Sequence, residues 1–248
     1  MSLPLRRRFA RRQDVGLGTR EFARLARLDS PQRIQAFLNA IPINHEPDGE
    51  TAYSVRGVLS HRRAHCIEGA FVAACALWIR GEPPYVMHLD CEPSDYPHVI
   101  ALFRRKGAWG AISKSNGVAL RYRDPIYRSL RELALSYFHE YSDRRGRRTL
   151  RSYSGAFDMR RLDVIKWVCN ETNCWEAHDR LAQLRHYPLM HAHHVKHLSR
   201  RDPFEQRMAG TVQYPKPKAA IGPRPCACTP MWRTDTSWST VIPNTQTR

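Results

Sequence analysis

The most apolar segment of this chain is Cys66-Ile67-Glu68-Gly69-Ala70-Phe71-Val72-Ala73-Ala74-Cys75-Ala76-Leu77-Trp78-Ile79. Wound as a helix, it is apolar on nearly every side, which predicts a central buried helix rather than an amphipathic surface one. Arg80 and Gly81 are typical of a last turn and its cap, and Pro83-Pro84 block continuation. No apolar run reaches the ~18 residues of a transmembrane helix.

The sequence on both sides of this helix predicts a mixed α+β fold. Before it, Ser30 and Pro31 are typical of a helix start, and Arg105-Lys106-Gly107 is typical of a hairpin turn after it. Helices are expected at 19–28, from 31 to 41, within 51–62, at 129–141 and across 160–198. Strands are expected at 85–89, 98–103, 108–113 and 149–153, the last at a sheet edge. We therefore expect the buried helix to lie against an antiparallel sheet.

The strongest chemical signal is Cys66 followed by His98. A cysteine in the first turn of a helix feels unpaired backbone N–H groups and the positive end of the dipole, which favour the thiolate. A histidine that opens a strand can lie beside it and act as base and then acid. Cys75 lies mid-helix and suits the core. Glu68 is expected to cap the helix, whereas His65 either tunes the thiol or is an exposed loop residue.

Three segments resemble the transglutaminase-like superfamily, including a bacterial branch of it: Ala64-His65-Cys66-Ile67-Glu68-Gly69-Ala70, Asp95-Tyr96-Pro97-His98-Val99-Ile100-Ala101-Leu102 and Gly107-Ala108-Trp109-Gly110-Ala111. Segments 131–138 and 149–153 resemble that branch as well, so the resemblance covers about residues 30–155. It implies a papain-like fold in which the cysteine heads a helix and a histidine and an aspartate come from following strands. It also implies acyl transfer through a thioester, without a cofactor.

The third member of such a triad is where the sequence departs from the family. The expected aspartate would fall in Ile112-Ser113-Lys114-Ser115-Asn116, which contains no carboxylate. A two-residue hairpin loop pairs Arg105 with Ala108 and leaves Ser113 diagonal to His98 on one face, whereas a loop centred on Gly107 sets His98 opposite Asn116. Ser113 and Asn116 are therefore the candidates for orienting His98, with Asp90 and Asp95 as upstream alternatives.

Charge and composition suggest four regions: a flexible basic arm at 1–17, the transglutaminase-like domain at 18–155, a helical extension at 156–210 and a disordered Pro- and Thr-rich tail at 211–248. The net charge is +17, but residues 40–140 contain 12 basic and 11 acidic residues, so the excess lies on the flanks. Seven cysteines and no recognisable secretory signal predict a reducing, cytoplasmic setting.

Other clusters give weaker signals. His186, His191, His193, His194 and His197 lie near Cys169 and Cys174, but no regular zinc spacing is present, and Cys226 and Cys228 fall in the predicted tail. We expect no metal and no cofactor. The sequence thus predicts a cysteine-dependent enzyme acting on a protein or peptide, with no membrane partner. The alternative is a catalytically degenerate binding module whose basic flanks contact a polyanion such as nucleic acid, or a protein partner.

Overall fold

The computed structural model describes residues 9–217 and has a mixed α+β architecture. Its helices are α1 (Arg12–Val15), α2 (Thr19–Ala26), α3 (Pro31–Ala40), α4 (Val55–His61), α5 (Cys66–Ile79), α6 (Leu130–Leu135), α7 (Trp175–Ala182), α8 (Ala192–Val195) and α9 (Pro203–Ala209). Its strands are β1 (Tyr85–Cys91), β2 (His98–Arg105), β3 (Ala108–Ile112), β4 (Arg123–Tyr127), β5 (Leu150–Ser154), β6 (Phe157–Asp158) and β7 (His186–Pro188). Short 3-10 turns follow α6 and precede α7.

The predicted central helix is confirmed at both ends. Helix α5 begins at Cys66 and ends at Ile79, and every residue from Ile67 onward is buried. Gly81 closes it with a φ of 87°, a conformation that favours glycine. The fully buried Trp167 packs its ring against Phe71 and Trp78, with ring centres 6.2 and 6.3 Å apart. Burial of aromatic rings on this scale is worth several kcal/mol each, about 3–5 for a Phe-to-Ala change.

The seven strands form one antiparallel sheet in the order β4-β3-β2-β1-β5-β7, with β6 paired to the other half of β1. The β2–β3 hairpin turns through Lys106 and Gly107, which both have positive φ, as a tight two-residue turn requires. Arg105 pairs with Ala108 and Ala101 with Ile112. This is the two-residue-loop register of the two that the sequence left open.

Two hydrophobic cores sandwich the sheet. One lies between the sheet and α2–α5 and includes Val99, Ala101 and Phe103 of β2. The other lies on the opposite face, where Ile100 and Leu102 pack with α6 and the aromatic residues after it. The alternation along β2 is what lets a single strand serve both cores.

The structure corrects both predicted ends of the folded region. Residues 10–17 are not a loose arm: Val15 is fully buried, Leu17 is nearly so, and the Ala10 N–H donates to Trp78 at 3.1 Å. The few apolar residues of this segment are buried, although arginines dominate its composition. The predicted tail also starts too early, because Val212 forms an antiparallel bridge with Gly117. Residues 1–8 and 218–248 lie outside the described residues.

The predicted 160–198 helix is wrong for most of its length. Only α7 and α8 are α-helical there, and β7 lies between them. The Asp163 side chain caps a short 3-10 turn by accepting the Ile165 N–H, and the Asn170 side chain accepts the Thr172 N–H. Such local side-chain bonds compete with a continuous α-helix. Contacts group the chain up to Pro215 into one unit, so 18–155 and 156–210 are not separate.

Two further assignments change for local reasons. The helix expected at 129–141 stops at Leu135, where the Ser136 hydroxyl donates to the Leu133 carbonyl and competes with the helical ladder. Strand β5 is not an edge strand, because β1 and β7 flank it. The strand β4 was not predicted: its Pro125 is tolerated because β4 forms the sheet edge.

Candidate active site

Cys66 lies at the start of α5, half-buried, between two histidines. His65 immediately precedes it, and His98 comes from the first position of β2. Both imidazoles lie close enough to the Cys66 sulfur to favour its ionised form. The structure therefore brings together the predicted pair Cys66 and His98, and it adds His65 as a second neighbour of the sulfur.

The third group at His98 is Ser113. The His98 Nε2 lies 2.7 Å from the Ser113 Oγ, and both side chains are buried. The same hydroxyl donates its only proton to the Leu120 carbonyl at 2.5 Å. It must therefore accept from His98, which assigns the proton to Nε2 and leaves Nδ1 for the thiol. In this tautomer Nδ1 can take the proton from sulfur.

Ser113 is held in place through its backbone by α3. The Gln35 amide accepts from the Ser113 N–H at 2.9 Å and donates to the Ser113 carbonyl at 2.8 Å. Close approach of this segment to α5 requires Gly69, because a Cβ there would lie 2.5 Å from the Lys114 Cβ. Lys114 is itself buried, and its ammonium donates to the Leu38 carbonyl at 2.9 Å.

The acceptor of the Ser113 hydroxyl is also fixed. Leu120 has a φ of 57°, which is a strained conformation for a residue with a side chain. Its N–H donates to Glu140 Oε2 at 2.6 Å, and the other oxygen of that carboxylate lies 2.6 Å from Arg123. Because Glu140 bonds the Leu120 N–H and pairs with Arg123, the turn is fixed and the Leu120 carbonyl points to the Ser113 hydroxyl.

Glu68 is a fully buried carboxylate one turn into α5. It accepts hydrogen bonds from the Thr51 hydroxyl at 2.8 Å, the Tyr53 N–H at 2.9 Å and the His65 N–H at 2.8 Å, with Asn44 at 3.3 Å. The bond from His65 is the predicted cap, which satisfies an N–H at the helix start. All of these neighbours are donors, so each carboxylate oxygen of Glu68 has a hydrogen-bond partner.

The side chain of His65 is anchored on the side away from the thiol. Its Nε2 lies 2.9 Å from the Thr51 carbonyl and 3.3 Å from Glu68 Oε1. These partners only accept, so Nε2 carries a proton and Nδ1 is available to Cys66. Burial opposes charge on this ring, but the hydrogen bond to Cys66 and the nearby carboxylate raise the pKa of His65 to about 9.

The electrostatics of Cys66 differ from those of the other thiols. Burial disfavours its ionised form, but the hydrogen bonds and charges of His65 and His98 outweigh this and hold the pKa of Cys66 well below its ordinary value. Burial raises the pKa of Cys75, and it raises that of Cys91 and of Cys174 to about 12. Of these four thiols, Cys66 is the one whose surroundings favour the nucleophilic form.

The other candidates for orienting His98 have different partners. Asn116 uses both ends of its amide on Tyr214, donating to the carbonyl and accepting the N–H, each at 2.9 Å. The Asp95 carboxylate accepts from Thr149, and that of Asp90 accepts from Ser152. The observed hairpin register explains this arrangement, because it leaves Ser113 rather than Asn116 on the face of His98.

The histidine-rich segment shows two unrelated arrangements. His191, His193 and His194 form an exposed cluster in which the first two rings stack and the third packs edge-on. His186 bonds the buried His88 of β1, with 2.8 Å between ring nitrogens. Within residues 9–217, no three His, Cys, Asp or Glu side chains converge in a way that would hold a metal ion. Cys226 and Cys228 lie outside the described residues.

Sequence reasoning missed the supports of the site. Gln35 and Leu120 lie 78 and 7 residues from Ser113 in the chain, and no spacing rule connects them. The sequence predicted Glu68 as a helix cap, but it did not predict the contact between the Glu68 carboxylate and the His65 ring. A polar Gln35 on an otherwise core-facing side of α3 was the one available signal, since a buried amide needs partners.

No protein-family model matches this chain, and no curated protein matches it either. None of the helices in residues 9–217 combines the length and the apolar character needed to cross a bilayer.

Proposed function

We propose that this protein is a cysteine-dependent acyl-transfer enzyme on a transglutaminase-like, papain-like fold. The observation that carries the proposal is the hydrogen bond between His98 Nε2 and the Ser113 hydroxyl. This bond fixes the tautomer that leaves Nδ1 free for Cys66. A nucleophile, a base and a group that orients the base are the parts that thiol-based acyl transfer needs. The order of elements, a cysteine-headed helix followed by the histidine strand, agrees with the resemblance in the sequence.

In the first half-reaction, the Cys66 thiolate attacks the carbonyl carbon of an amide. A C–S bond forms, and the N–H groups at the start of α5 face the developing oxyanion. His98, protonated at Nδ1, gives that proton to the leaving amine as the C–N bond breaks. The products of this step are a thioester on Cys66 and a free amine.

In the second half-reaction, water or an amine attacks the thioester. His98 Nδ1 accepts the proton of the attacking group, and the C–S bond breaks to return the Cys66 thiolate. Water as the acceptor gives hydrolysis or deamidation, whereas a primary amine gives transamidation. Ser113 takes no proton in either step, because its own is committed to the Leu120 carbonyl.

The proposed substrate is a protein or peptide, and the reaction needs no cofactor. The test is turnover of glutamine-containing peptides with and without a fluorescent primary amine, read by mass spectrometry. We expect ammonia release, peptide cleavage or amine incorporation in the wild type, each lost in C66S. If wild type and C66S are equally inert to peptides and to activated acyl esters, the catalytic proposal fails and the binding-module alternative takes its place.

A further inference from the structure

The Cys66 sulfur has two imidazole neighbours, whereas one base is enough for acyl transfer. We propose that His65, held by the buried carboxylate of Glu68, is a second cationic partner of this sulfur, which keeps it ionised when His98 carries no proton. This inference rests on the proposed function, in which Cys66 is the nucleophile. It assigns His65 and Glu68 roles separate from that of the general base.

The geometry supports a fixed cation at His65 rather than a mobile base. Its Nε2 faces the Thr51 carbonyl at 2.9 Å, Glu68 at 3.3 Å and Glu46 at 3.5 Å, all of which are acceptors. Since acceptors occupy Nε2, the nitrogen left for the neighbouring Cys66 sulfur is Nδ1, and both ring nitrogens can then act as donors. A ring with acceptors on both sides is most stable when it is doubly protonated.

Glu68 supplies the opposing charge and the position. It is fully buried and bonds both the backbone N–H of His65 and, more loosely, its ring. Since Glu68 touches the His65 ring and not the sulfur, it is a positioning residue. Its removal would leave His65 both less charged and less fixed.

Several other titratable and charged groups bear on this cluster. Glu46, in the loop after α3, lies beside the His65 ring. His88 of β1, His98 of β2 and Tyr141 after α6 act electrostatically on Cys66. Arg63, just before α5, acts on Glu68. Among the described residues, His65 and His98 are the neighbours that lower the pKa of the Cys66 thiol. The roles of these two histidines are therefore separable by single substitutions.

The division of labour has a chemical consequence. With His98 neutral, Cys66 is still a thiolate, so it can attack a donor whose leaving group needs no proton. An amide donor does need the proton, and the thioester needs His98 as base for water to attack. H98N should therefore react once with an activated ester and then stop, while it fails to turn over an amide.

The experiment is the pH dependence of iodoacetamide alkylation at Cys66, read peptide by peptide, in the full-length chain. The variants are H65Q, E68Q and H98N, with H197N at an exposed histidine as the matched control. We expect H65Q to lower the rate at pH 6 by at least ~10-fold, since at a pH below the thiol pKa each further unit of that pKa lowers the thiolate fraction tenfold. E68Q should move the profile in the same direction by less, and H98N should keep the rate at pH 6 within about threefold of wild type.

Two results would overturn the inference. One is an H65Q profile that coincides with those of wild type and H197N. The other is an H98N profile that by itself becomes that of a free thiol, and this result does not depend on whether H65Q folds. Circular dichroism of each variant identifies a folding failure, and E68Q then takes the place of H65Q. Failure of the proposed function reads out differently: alkylation follows the expected profiles, but no acyl donor reacts.

Discussion

Helix α5 carries two cysteines nine residues apart, and their surroundings give them opposite chemistry. Cys66 lies in the first turn, half-buried, with an imidazole from each side and a low thiol pKa. Cys75 lies in the middle of the helix, fully buried among apolar side chains, and burial raises its pKa. The difference shows that position in the helix and the neighbours supplied by other elements, not residue type, decide which thiol is a nucleophile.

The largest effect should separate the two cysteines by activity. C66S removes the sulfur that forms the thioester, so we expect amide turnover to fall at least ~1,000-fold. C75A should keep turnover close to wild type, because Cys75 touches none of the reacting groups. The measurement is steady-state turnover of a peptide substrate. Similar losses in both variants would remove the distinction between the two sites.

The next effect should come from His98. H98N retains hydrogen-bonding capacity but cannot carry a proton between sulfur and the leaving amine, so amide turnover should fall ~10²–10⁴-fold. The comparison variant is H197N, whose side chain is exposed and distant in sequence from the site. Rates for H98N that match H197N would exclude His98 as the base.

Substitution of Cys75 should lower stability more than substitution of Cys66, which is the reverse of the order expected for activity. C75S places a hydroxyl in a fully apolar, closed site, which should lower the free energy of unfolding by ~1–3 kcal/mol. C66S should cost less, because its hydroxyl keeps His65 and His98 as partners. Denaturant unfolding measures both. A larger loss in C66S than in C75S would mean that Cys66 is mainly a structural residue.

A smaller effect should distinguish the two candidates for orienting His98. S113A removes the acceptor of Nε2, so the ring loses its preferred tautomer and we expect ~10-fold slower amide turnover. N116A should leave turnover nearly unchanged and lower stability by ~1 kcal/mol, because it releases Tyr214. The reverse pattern would restore Asn116 as the orienting residue.

The parts that the sequence predicts well are those with strong local signals. The bounds of α5 follow from its apolar composition and from Gly81 and Pro83 after it, and Ser30 caps α3 as predicted by accepting from the Arg33 N–H. The hairpin was harder, because two registers were open and only backbone pairing decides between them. Once Arg105 faces Ala108, the placement of Ser113 on the His98 face follows from strand alternation.

The parts that the sequence did not predict depend on long-range partners. Strand β7 has three residues and pairs with β5 only because the chain returns there, so no local periodicity reveals it. Gln35 bonds the backbone of Ser113 through its side-chain amide, but glutamine is an ordinary residue in a helix. At Cys66, the helix start and His98 were predictable, but the pairing of His65 with Glu68 depends on contacts from a loop at 44–53 that carries no motif.

The most direct test of the account is to trap the acyl-enzyme. Wild type and C66S are mixed at pH 6 with an activated acyl ester, quenched in acid and digested, and each cysteine peptide is weighed. The proposed mechanism predicts one acyl group on Cys66, released by hydroxylamine, with none on Cys75 and none in C66S. Acylation spread equally over Cys91 and Cys169, or absent from Cys66, would contradict it.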